Sequence, residues 1–280
     1  MGAAALISRE VRARLLADER DLDVGADDDR AFWRDLAGRS TGPILELGCG
    51  GGRLLAAVRD GRSSDRALIG VDLDPDALAL AAERLPDADL VCADVRSWRS
   101  ARPLAAGLVI IGGDLLPLIT TEADLLALFT TAARHVSSNG IVGIDATLMD
   151  PERLAAATEN LAWESDIEWA DEDGLVVRRE SRLAPDPEGR RGLALLSVRH
   201  SRSVHHRRGG GTIDAAVERP PFAIRAWSVG ELLAVADAAH LERFDVRGGE
   251  ARLRWLLRSR NEDRKSTRLN SSHSQQSRMP

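Results

Sequence analysis

Residues 43–53 read PILELGCGGGR, a short apolar strand that runs directly into a glycine-rich turn. Glycine allows the chain to turn sharply after the strand and lets a ligand approach the main chain closely. The spacing of Leu54, Leu55 and Val58 after this turn predicts a helix. The segment therefore predicts the start of a βα unit whose turn is open to a ligand.

The alternation of strands and helices continues along the chain. Two amphipathic helices are predicted at 6–20 and 28–38, ahead of the first strand at 44–47. Further strands are predicted at 67–74, 89–95, 107–113 and 141–147, with helices opening at Pro75 and Thr121 and a turn at Ser137–Gly140. Strands that alternate with helices at this spacing imply right-handed crossovers and a parallel sheet.

The pattern changes after Met149. A short helix near 151–160 precedes long segments in which apolar and polar residues alternate, at 175–184, 193–204 and 212–227. Such alternation is typical of half-exposed antiparallel strands, and the turns between them are PDPEGRRG and HHRRGGG. A helix at 227–240 and strands at 241–248 and 251–259 then close the chain. We expect an α/β fold with a doubly wound, mostly parallel seven-stranded sheet and an antiparallel β insertion after the fifth strand.

Composition limits the classes of function. The chain has 280 residues, a formal net charge of -6 and 44% apolar residues, which suits one large domain with an insertion. No apolar run approaches the roughly 18 residues that a spanning helix needs, and the first residues lack the apolar core of a signal peptide. Two cysteines, Cys49 and Cys92, make no secreted disulfide framework. We expect a soluble cytoplasmic protein, and its acidic balance argues against nucleic acid as a partner.

The last residues differ from the rest in composition. Before residue 263 the chain has no lysine and no glutamine, whereas Lys265, Gln275 and Gln276 lie in the final segment DRKSTRLNSSHSQQSRMP. This segment resembles the in-frame translation of a sequencing adapter. A natural polar tail is the alternative. We expect 263–280 to be a non-native tail without fixed structure.

The residues of the glycine turn help to decide between a dinucleotide and a ligand that contains an amino acid. A dinucleotide fingerprint would place a third glycine at position 53, where this chain has Arg53. Glu46, two residues before Gly48, would repel a phosphate and attract the ammonium group of an amino acid. S-adenosylmethionine (SAM) has such an ammonium group and no phosphate.

Two further acids end the next two predicted strands. Asp72 lies 22 residues after Gly50, where a carboxylate accepts both ribose hydroxyls, and Asp94 lies 22 residues after Asp72, where it accepts an adenine amino group. Each acid alone has a plainer interpretation. Asp72 could cap a helix, Asp94 could be a solvated loop residue, and Cys49 could be a small core residue. The spacing of Asp72 and Asp94 relative to the glycine turn favours the ligand-binding interpretation over these plainer ones.

These motifs resemble those of class I SAM-dependent methyltransferases. ELGCGGGR is similar to the family's first motif, GVDLDPDAL (70–78) to its second-strand motif and ADLVCADV (88–95) to its adenine motif, and the resemblance covers about 30–150. It implies that the methionine end is held by Glu46, Gly48, Gly50 and Gly52. It also implies ribose contacts from Asp72 and Leu73, adenine contacts from Asp94 and Val95, and a border to the methyl group from Gly112 and Gly113.

The flanking segments resemble parts of the same family. DDRAFWRDLA (28–37) is similar to the helix that covers SAM, and the insertion is similar to the acceptor-covering cap of glycine N-methyltransferase-type enzymes. The chain has no tyrosine, so a tyrosine contact to SAM found in many relatives is lost or is made by Phe32 or Trp33. The implied organisation is N-terminal helices covering the cofactor (1–40), a SAM-binding core (41–150), the cap (151–227), closing elements of the core (228–262) and the tail.

No residue stands out as a catalytic group. Asp114, just past the fourth strand, is the best-placed candidate to orient an acceptor, although it could equally cap a helical turn. His135 is interpreted as a partner of a helix dipole. His200, His205 and His206 suggest a solvated loop, and we expect no metal site. Three tryptophans, at 163, 169 and 227, either pack the insertion or line the acceptor site.

We therefore expect a cytoplasmic, bacterial SAM-dependent methyltransferase that moves a methyl group to nitrogen or oxygen of a small molecule. Three alternatives remain: a NAD-linked oxidoreductase, a SAM-binding module without activity, and a methyltransferase acting on protein or nucleic acid. The expected partners are a small-molecule acceptor and, at most, a second copy of the chain, with neither nucleic acid nor membrane involved.

Overall fold

The structure, a computed structural model, describes most of the chain. The described ranges are 26–59, 66–147, 150–170, 176–204, 212–218, 220–247 and 252–260. The predicted helix at 6–20, the turn at 205–211 with its paired histidines, and the tail at 263–280 lie outside these ranges. Within them, no helix is long and apolar enough to cross a bilayer.

The first half of the chain alternates between strands and helices, as expected. The strands are β1 (Ile44–Leu47), β2 (Leu68–Asp72), β3 (Asp89–Cys92), β4 (Ala106–Ile111) and β5 (Val136–Thr147). The helices are α1 (Ala26–Arg39), α2 (Arg53–Arg59), α3 (Pro75–Arg84), α4 (Leu115–Leu118) and α5 (Glu122–His135). Thr121 caps α5 by accepting a hydrogen bond from the Asp124 amide at 3.1 Å, which confirms the predicted start of that helix.

The second half contains the insertion and the closing elements. Its members are α6 (Pro151–Ala157), β6 (Glu164–Ala170), β7 (Val176–Pro185), β8 (Leu193–Val204), β9 (Thr212–Glu218), β10 (Phe222–Arg225), α7 (Val229–Ala238), β11 (Leu241–Arg247) and β12 (Arg252–Ser259). The short helix α4 and the strand β6 had not been predicted. The alternation of Ile167 and Trp169 with polar residues in β6 was the available signal.

The main sheet has seven strands in the order β11-β12-β5-β4-β1-β2-β3. The five strands from β5 to β3 are parallel to their neighbours, and β12 and β11 join antiparallel at one edge. Together with the separate antiparallel sheet formed by β6 to β10, this confirms the predicted fold class. Because the connections are βα crossovers, the carboxyl ends of the parallel strands all meet at one edge.

Helices cover both faces of this sheet because its central strands are apolar on both faces. In β4, Leu108 and Ile110 pack with α1, α2 and α3, whereas Val109 and Ile111 pack with α5 and α7. All four side chains are buried. A continuously apolar strand of this kind is typical of a parallel sheet between two helical layers.

The predicted strand at 212–227 is interrupted. β9 and β10 both pair with β8, β9 along its second half and β10 along its first. Between them lie Pro220 and Pro221, which have no amide hydrogen to donate to the ladder. The chain therefore leaves the sheet at the prolines and returns to the same edge.

The predicted turn at Ser137–Gly140 is wrong, because these residues belong to β5. Ala106 pairs with Val136 and Leu108 pairs with Ile141, so the extra residues of β5 form a bulge in the ladder. A Cβ atom at Gly140 would lie 2.5 Å from the Ala106 carbonyl oxygen. The bulge therefore needs a residue without a side chain.

His135, in the last turn of α5, is a buried neutral residue rather than a cationic partner of the helix dipole. Its Nδ1 lies 2.8 Å from the Thr131 carbonyl oxygen, and its Nε2 accepts the Ser100 amide at 3.1 Å. The ring stacks on Trp98 with centroids 4.6 Å apart. Burial lowers the pKa of His135 below its ordinary value.

We expect this histidine to make the fold sensitive to mild acid. The unfolded chain takes up a proton at His135 near pH 6.5, whereas the folded chain resists it, so this stability is present above about pH 6.5 and is lost as the pH falls. His135→Gln should flatten the fall in melting temperature between neutral pH and mild acid. His240→Asn, at an exposed histidine with a φ of 57°, is the control, and an equal effect of both substitutions would contradict the prediction.

Candidate functional site

A cleft of about 360 Å³ opens at the carboxyl ends of the parallel strands. Its walls come from the segments that follow β1 to β4 and from the start of α5. The lining residues are Gly48, Asp72, Leu73, Asp94, Val95, Arg96, Gly113, Leu115, Leu118, Ile119, Thr120 and Asp124. This is the edge at which open α/β sheets bind their ligands.

Asp72, the last residue of β2, connects the glycine turn to the second strand. Its Oδ2 accepts the Gly50 amide at 2.7 Å, and its Oδ1 accepts the Asp74 amide at 2.9 Å. Each carboxylate oxygen has two lone-pair positions, so each retains one for a further donor. Asp74, not Asp72, caps α3 by accepting from the Asp76 amide at 2.9 Å.

Asp94 also lines the cleft, two residues beyond the end of β3, and is paired with an arginine that had not been predicted to take part. Arg96 donates to both oxygens of Asp94 at 2.6 to 3.0 Å, and its Nη1 lies 2.9 Å from Asp124 Oδ1. Hydrogen bonds from Arg96 hold the pKa of Asp94 below its ordinary value. The carboxylate is therefore ionised at neutral pH. The position of Arg96 two residues after Asp94 was the available signal.

The predicted cofactor residues divide into two groups. Those that line the cleft are Gly48, Asp72, Leu73, Asp94, Val95 and Gly113; those that do not are Glu46, Gly50, Gly52 and Gly112. Leu73 is 66% exposed. The roles of all ten remain predictions, although the cleft brings the first group together.

Of the residues that do not line the cleft, Glu46 lies beneath the glycine turn and Gly112 faces the core. The buried Glu46 accepts the Leu55 amide at 3.2 Å, which places its carboxylate under the first turn of α2. Beside it, burial and then the charges of Glu46 and Asp72 raise the pKa of the Cys49 thiol. Gly112 faces the core, because a Cβ atom there would lie 2.6 Å from Leu54 and 3.2 Å from Trp33.

The two aromatic residues proposed to replace the missing tyrosine lie in the core. Trp33 is completely buried, and Phe32 is 8% exposed. Trp33 also packs over Gly143, where a Cβ atom would lie 2.6 Å from its ring. Neither ring is among the residues that line the cleft.

A buried ion network lies beside the cleft, at the end of β5. Asp29 of α1 binds Arg53 through two hydrogen bonds of 2.7 and 2.8 Å, and Asp145 binds Arg252 through two of 2.7 and 3.1 Å. Arg252 also lies 3.9 Å from Asp29 and 3.9 Å from Asp114. The network therefore ties α1 and the glycine turn to the end of the sheet. Sequence reasoning missed it because its members are far apart in the chain.

Asp114, the candidate acceptor residue, belongs to the same region. It precedes α4 with a φ of 57° and makes no side-chain cap to that helix. Instead its Oδ1 accepts the Thr147 amide, the last of β5, at 2.6 Å. Its side chain is 36% exposed. The carboxylate is thus held by the sheet rather than by α4, and Asp114 is not among the residues that line the cleft, although its neighbours Gly113 and Leu115 are.

The remaining candidates lie elsewhere. His200 is buried on β8 of the insertion, and among the described residues no three histidines, cysteines or acids are grouped as a metal site. Trp163 lies between Arg182 and Arg199, whose guanidinium carbons are 4.7 and 4.3 Å from its ring centre. Trp227 is 4% exposed and packs in the core. The side chain of Trp169 lies outside the described structure.

Comparison with known proteins identifies the core. Residues 44–140 match a family described as a methyltransferase domain. A trans-aconitate 2-methyltransferase of Klebsiella pneumoniae is 31% identical over 144 residues, which are 51% of each chain. The chain thus spans about half the length of this curated relative.

Solved structures match nearly the whole chain. DesVI of Streptomyces venezuelae is 20% identical with a TM-score of 0.66, over 89% of this chain and 96% of that one. The SAM-bound amino pentose methyltransferase CalS10 of Micromonospora echinaspora is 20% identical with a TM-score of 0.66, over 88% and 97%. At this identity the likeness concerns the fold. Residues 44–140 of the chain therefore match a methyltransferase domain, and the chain shares its fold with solved methyltransferases, one of them with SAM bound.

Proposed function

We propose that this protein transfers the methyl group of SAM to a nitrogen or oxygen atom of a small molecule. The observation that supports this most directly is the cleft, in which Asp72 and Asp94 face the same space beyond the glycine turn. A dinucleotide is disfavoured by the glycine turn, which has Arg53 where the dinucleotide fingerprint has its third glycine. A ligand with two ribose hydroxyls and an adenine amino group would meet carboxylate acceptors in the cleft.

The residues present fit such a cofactor. Asp72 already binds two amides, so its orientation is set before any ligand arrives, and both of its oxygens keep a free lone pair. Asp94 remains ionised beside Arg96, and an adenine amino group would share its oxygens with the four hydrogen bonds that Arg96 donates to them. Gly48, with a φ of 79°, brings main chain to the cleft where a side chain would strike Leu115 at 2.9 Å. A cleft of about 360 Å³ is within the usual range for small-molecule sites.

The chemistry asks little of the protein beyond positioning. When bound, SAM would supply a methyl group on a sulfonium, and in-line attack by the acceptor would take the methyl group and release the neutral thioether. The protein needs to hold the acceptor in line and to exclude water. We assign acceptor orientation to Asp114, whose carboxylate is fixed by the Thr147 amide and lies beside Arg252. A general base is required only if the acceptor must lose a proton.

The two flanking parts complete the site in this proposal. The helix α1, as part of residues 1–40, covers the cofactor, and its Asp29 bond to Arg53 supports this position. The core is 41–150 with 228–262, and residues 151–227 form a cap over the acceptor. The names of the relatives, a trans-aconitate and an amino pentose methyltransferase, favour a small acceptor for this chain as well. We propose a cytoplasmic monomer or homodimer that binds neither nucleic acid nor membrane.

Calorimetric titration tests the cofactor. The protein should bind SAM and S-adenosylhomocysteine but not NAD, and Asp72→Ala should weaken both by about 10- to 100-fold, since it removes charge-assisted hydrogen bonds to ribose. Asp89→Ala is the matched control, because Asp89 is an exposed carboxylate at the opposite end of the neighbouring strand β3. It should leave both affinities unchanged.

Two results would reject the assignment. Binding of NAD by the wild-type protein would return the chain to the oxidoreductase class. Failure of the folded wild-type protein to bind SAM or S-adenosylhomocysteine would show that the glycine turn holds no cofactor of this kind. Binding without turnover on any amine or hydroxyl acceptor would instead favour the SAM-binding module.

A further inference from the structure

One wall of the cleft is a short segment that the methyltransferase motifs do not include. Leu115, Leu118, Ile119 and Thr120 line the cleft together with Asp72 and Asp94. The segment consists of the four-residue helix α4 and the turn before α5. A helix this short has few backbone donors for its carbonyl groups. The Leu116 carbonyl accepts the Ile119 amide, and further donors must come from other parts of the chain.

Trp227 supplies two of these hydrogen bonds from a distant part of the chain. Its indole Nε1 lies 3.2 Å from the Leu116 carbonyl oxygen and 2.9 Å from the Ile119 carbonyl oxygen. The ring is 4% exposed, so the shared hydrogen bond is shielded from water. One buried donor therefore fastens both ends of the helical turn.

Arg225 supplies the third. Its Nη1 donates to the Thr120 carbonyl oxygen at 3.1 Å, its Nη2 binds Glu231 of α7 at 2.8 Å, and its guanidinium carbon lies 3.8 Å from the centre of the Trp227 ring. Glu231 is itself fixed, because it forms a capping box with Ser228 at the start of α7. The arginine is thus held on two sides before it reaches the segment.

These contacts join the insertion to the cleft. Arg225 is the last residue of β10, and the chain passes from β10 through Trp227 into α7. The three carbonyl groups belong to residues 116, 119 and 120, more than a hundred positions earlier. The end of the insertion therefore holds the wall of the cleft directly.

We infer that Arg225 and Trp227 are positioning residues for the cofactor cleft, which they act on through Leu115–Thr120. The inference rests on the proposed function for its ligand, but the mechanical part concerns the chain alone. Without the two donors the segment would keep its local backbone bonds, such as Ile119 to Leu116 at 3.0 Å, and the core packing of Leu116 and Ile119, but it would lose its hydrogen bonds to Arg225 and Trp227. Ligand binding would then have to order the wall, which lowers affinity.

The test combines hydrogen exchange with titration of the full-length protein. Trp227→Phe keeps most of the ring packing and removes the indole N–H, and Arg225→Met keeps much of the side-chain length and removes the hydrogen bonds to both the Thr120 carbonyl and Glu231. In both variants we expect faster amide exchange in the peptide covering residues 115–120, measured without ligand. We also expect S-adenosylhomocysteine to bind about five- to tenfold more weakly, as the loss of about one net hydrogen bond predicts.

Trp255→Phe is the matched control for the loss of a buried indole. Trp255 is 1% exposed and packs in the same apolar cluster, but it lies on β12 and does not line the cleft. The inference is overturned if exchange in 115–120 is unchanged by Trp227→Phe, if Trp255→Phe raises it equally, or if exchange rises while affinity stays the same. If the wild-type protein binds no S-adenosylhomocysteine, the proposed function and the role toward the cofactor both fail.

Discussion

Replacing Gly107 by alanine should cost about 3 kcal/mol or more of the free energy of unfolding, because it forces backbone apart. A Cβ atom at this position would lie 1.6 Å from the Thr41 carbonyl oxygen and 2.6 Å from its carbon. Neither atom belongs to a movable side chain. The Gly107 amide also donates to the Pro43 carbonyl at 2.9 Å, immediately before β1 starts to pair with β4.

Gly38→Ala provides the matched control. Gly38 lies in α1, where an added Cβ atom meets nothing within 4 Å. Since alanine is the better helix former, this substitution should raise stability by up to about 0.5–1 kcal/mol. Urea denaturation of both variants, with unchanged dependence on denaturant, measures the difference. A Gly107→Ala protein as stable as the wild type would contradict the close approach of residues 41–43 to β4.

Removing Asp145 should have an effect of similar size for an electrostatic reason. Its side chain is completely buried and binds Arg252 at 2.7 and 3.1 Å, with Arg254 at 3.5 Å. Asp145→Ala leaves two partly or fully buried guanidinium groups without their nearest carboxylate. Breaking a buried pair in this way costs about 3–5 kcal/mol. Asp145→Asn, which keeps the shape and loses the charge, should cost less.

Glu242→Ala is the control that separates the effect of losing a buried ion pair from the effect of losing any ion pair. Glu242 pairs with Arg258 at 3.5 Å, but the two side chains are 49% and 40% exposed. Exposed pairs contribute less than about 1 kcal/mol because water and salt screen them. The shift of the denaturant midpoint should therefore be several-fold larger for Asp145→Ala than for Glu242→Ala. Equal shifts would show that Asp145 is solvated in the folded protein.

The sequence was sufficient to predict the parts of the fold that depend on local pattern. The apolar runs of β1 and β4 and the capped helices α3 and α5 follow from residues close together in the chain. The carboxylates Asp72 and Asp94 were predicted to meet because parallel strands end at one edge of a sheet. Both do line the cleft.

The parts that could not be predicted depend on pairing across long separations. Arg96 contacts Asp124 because the start of α5 lies near the carboxyl end of β3. Asp29 binds Arg53 because α1 packs on α2. Glu46 was predicted to be a ligand residue, and the structure shows in addition that its carboxylate accepts the Leu55 amide beneath the glycine turn. Spacing in the sequence locates a carboxylate near a site, whereas its orientation depends on what packs around it.

The position of β12 affects how the chain is made. Asp145 of β5 and Arg252 of β12 are 107 residues apart, and the whole insertion is synthesised between them. At the usual speed of translation, the outer edge of β5 therefore waits about 5–20 s for its partner. The strands of the insertion pair with one another and not with β5, so until β12 is made this strand offers unpaired amides and carbonyls beside buried residues such as Ile144 and Ala146. A nascent chain with such an edge is prone to pair with other chains, so yield of active protein should depend on how quickly the ribosome passes through the insertion.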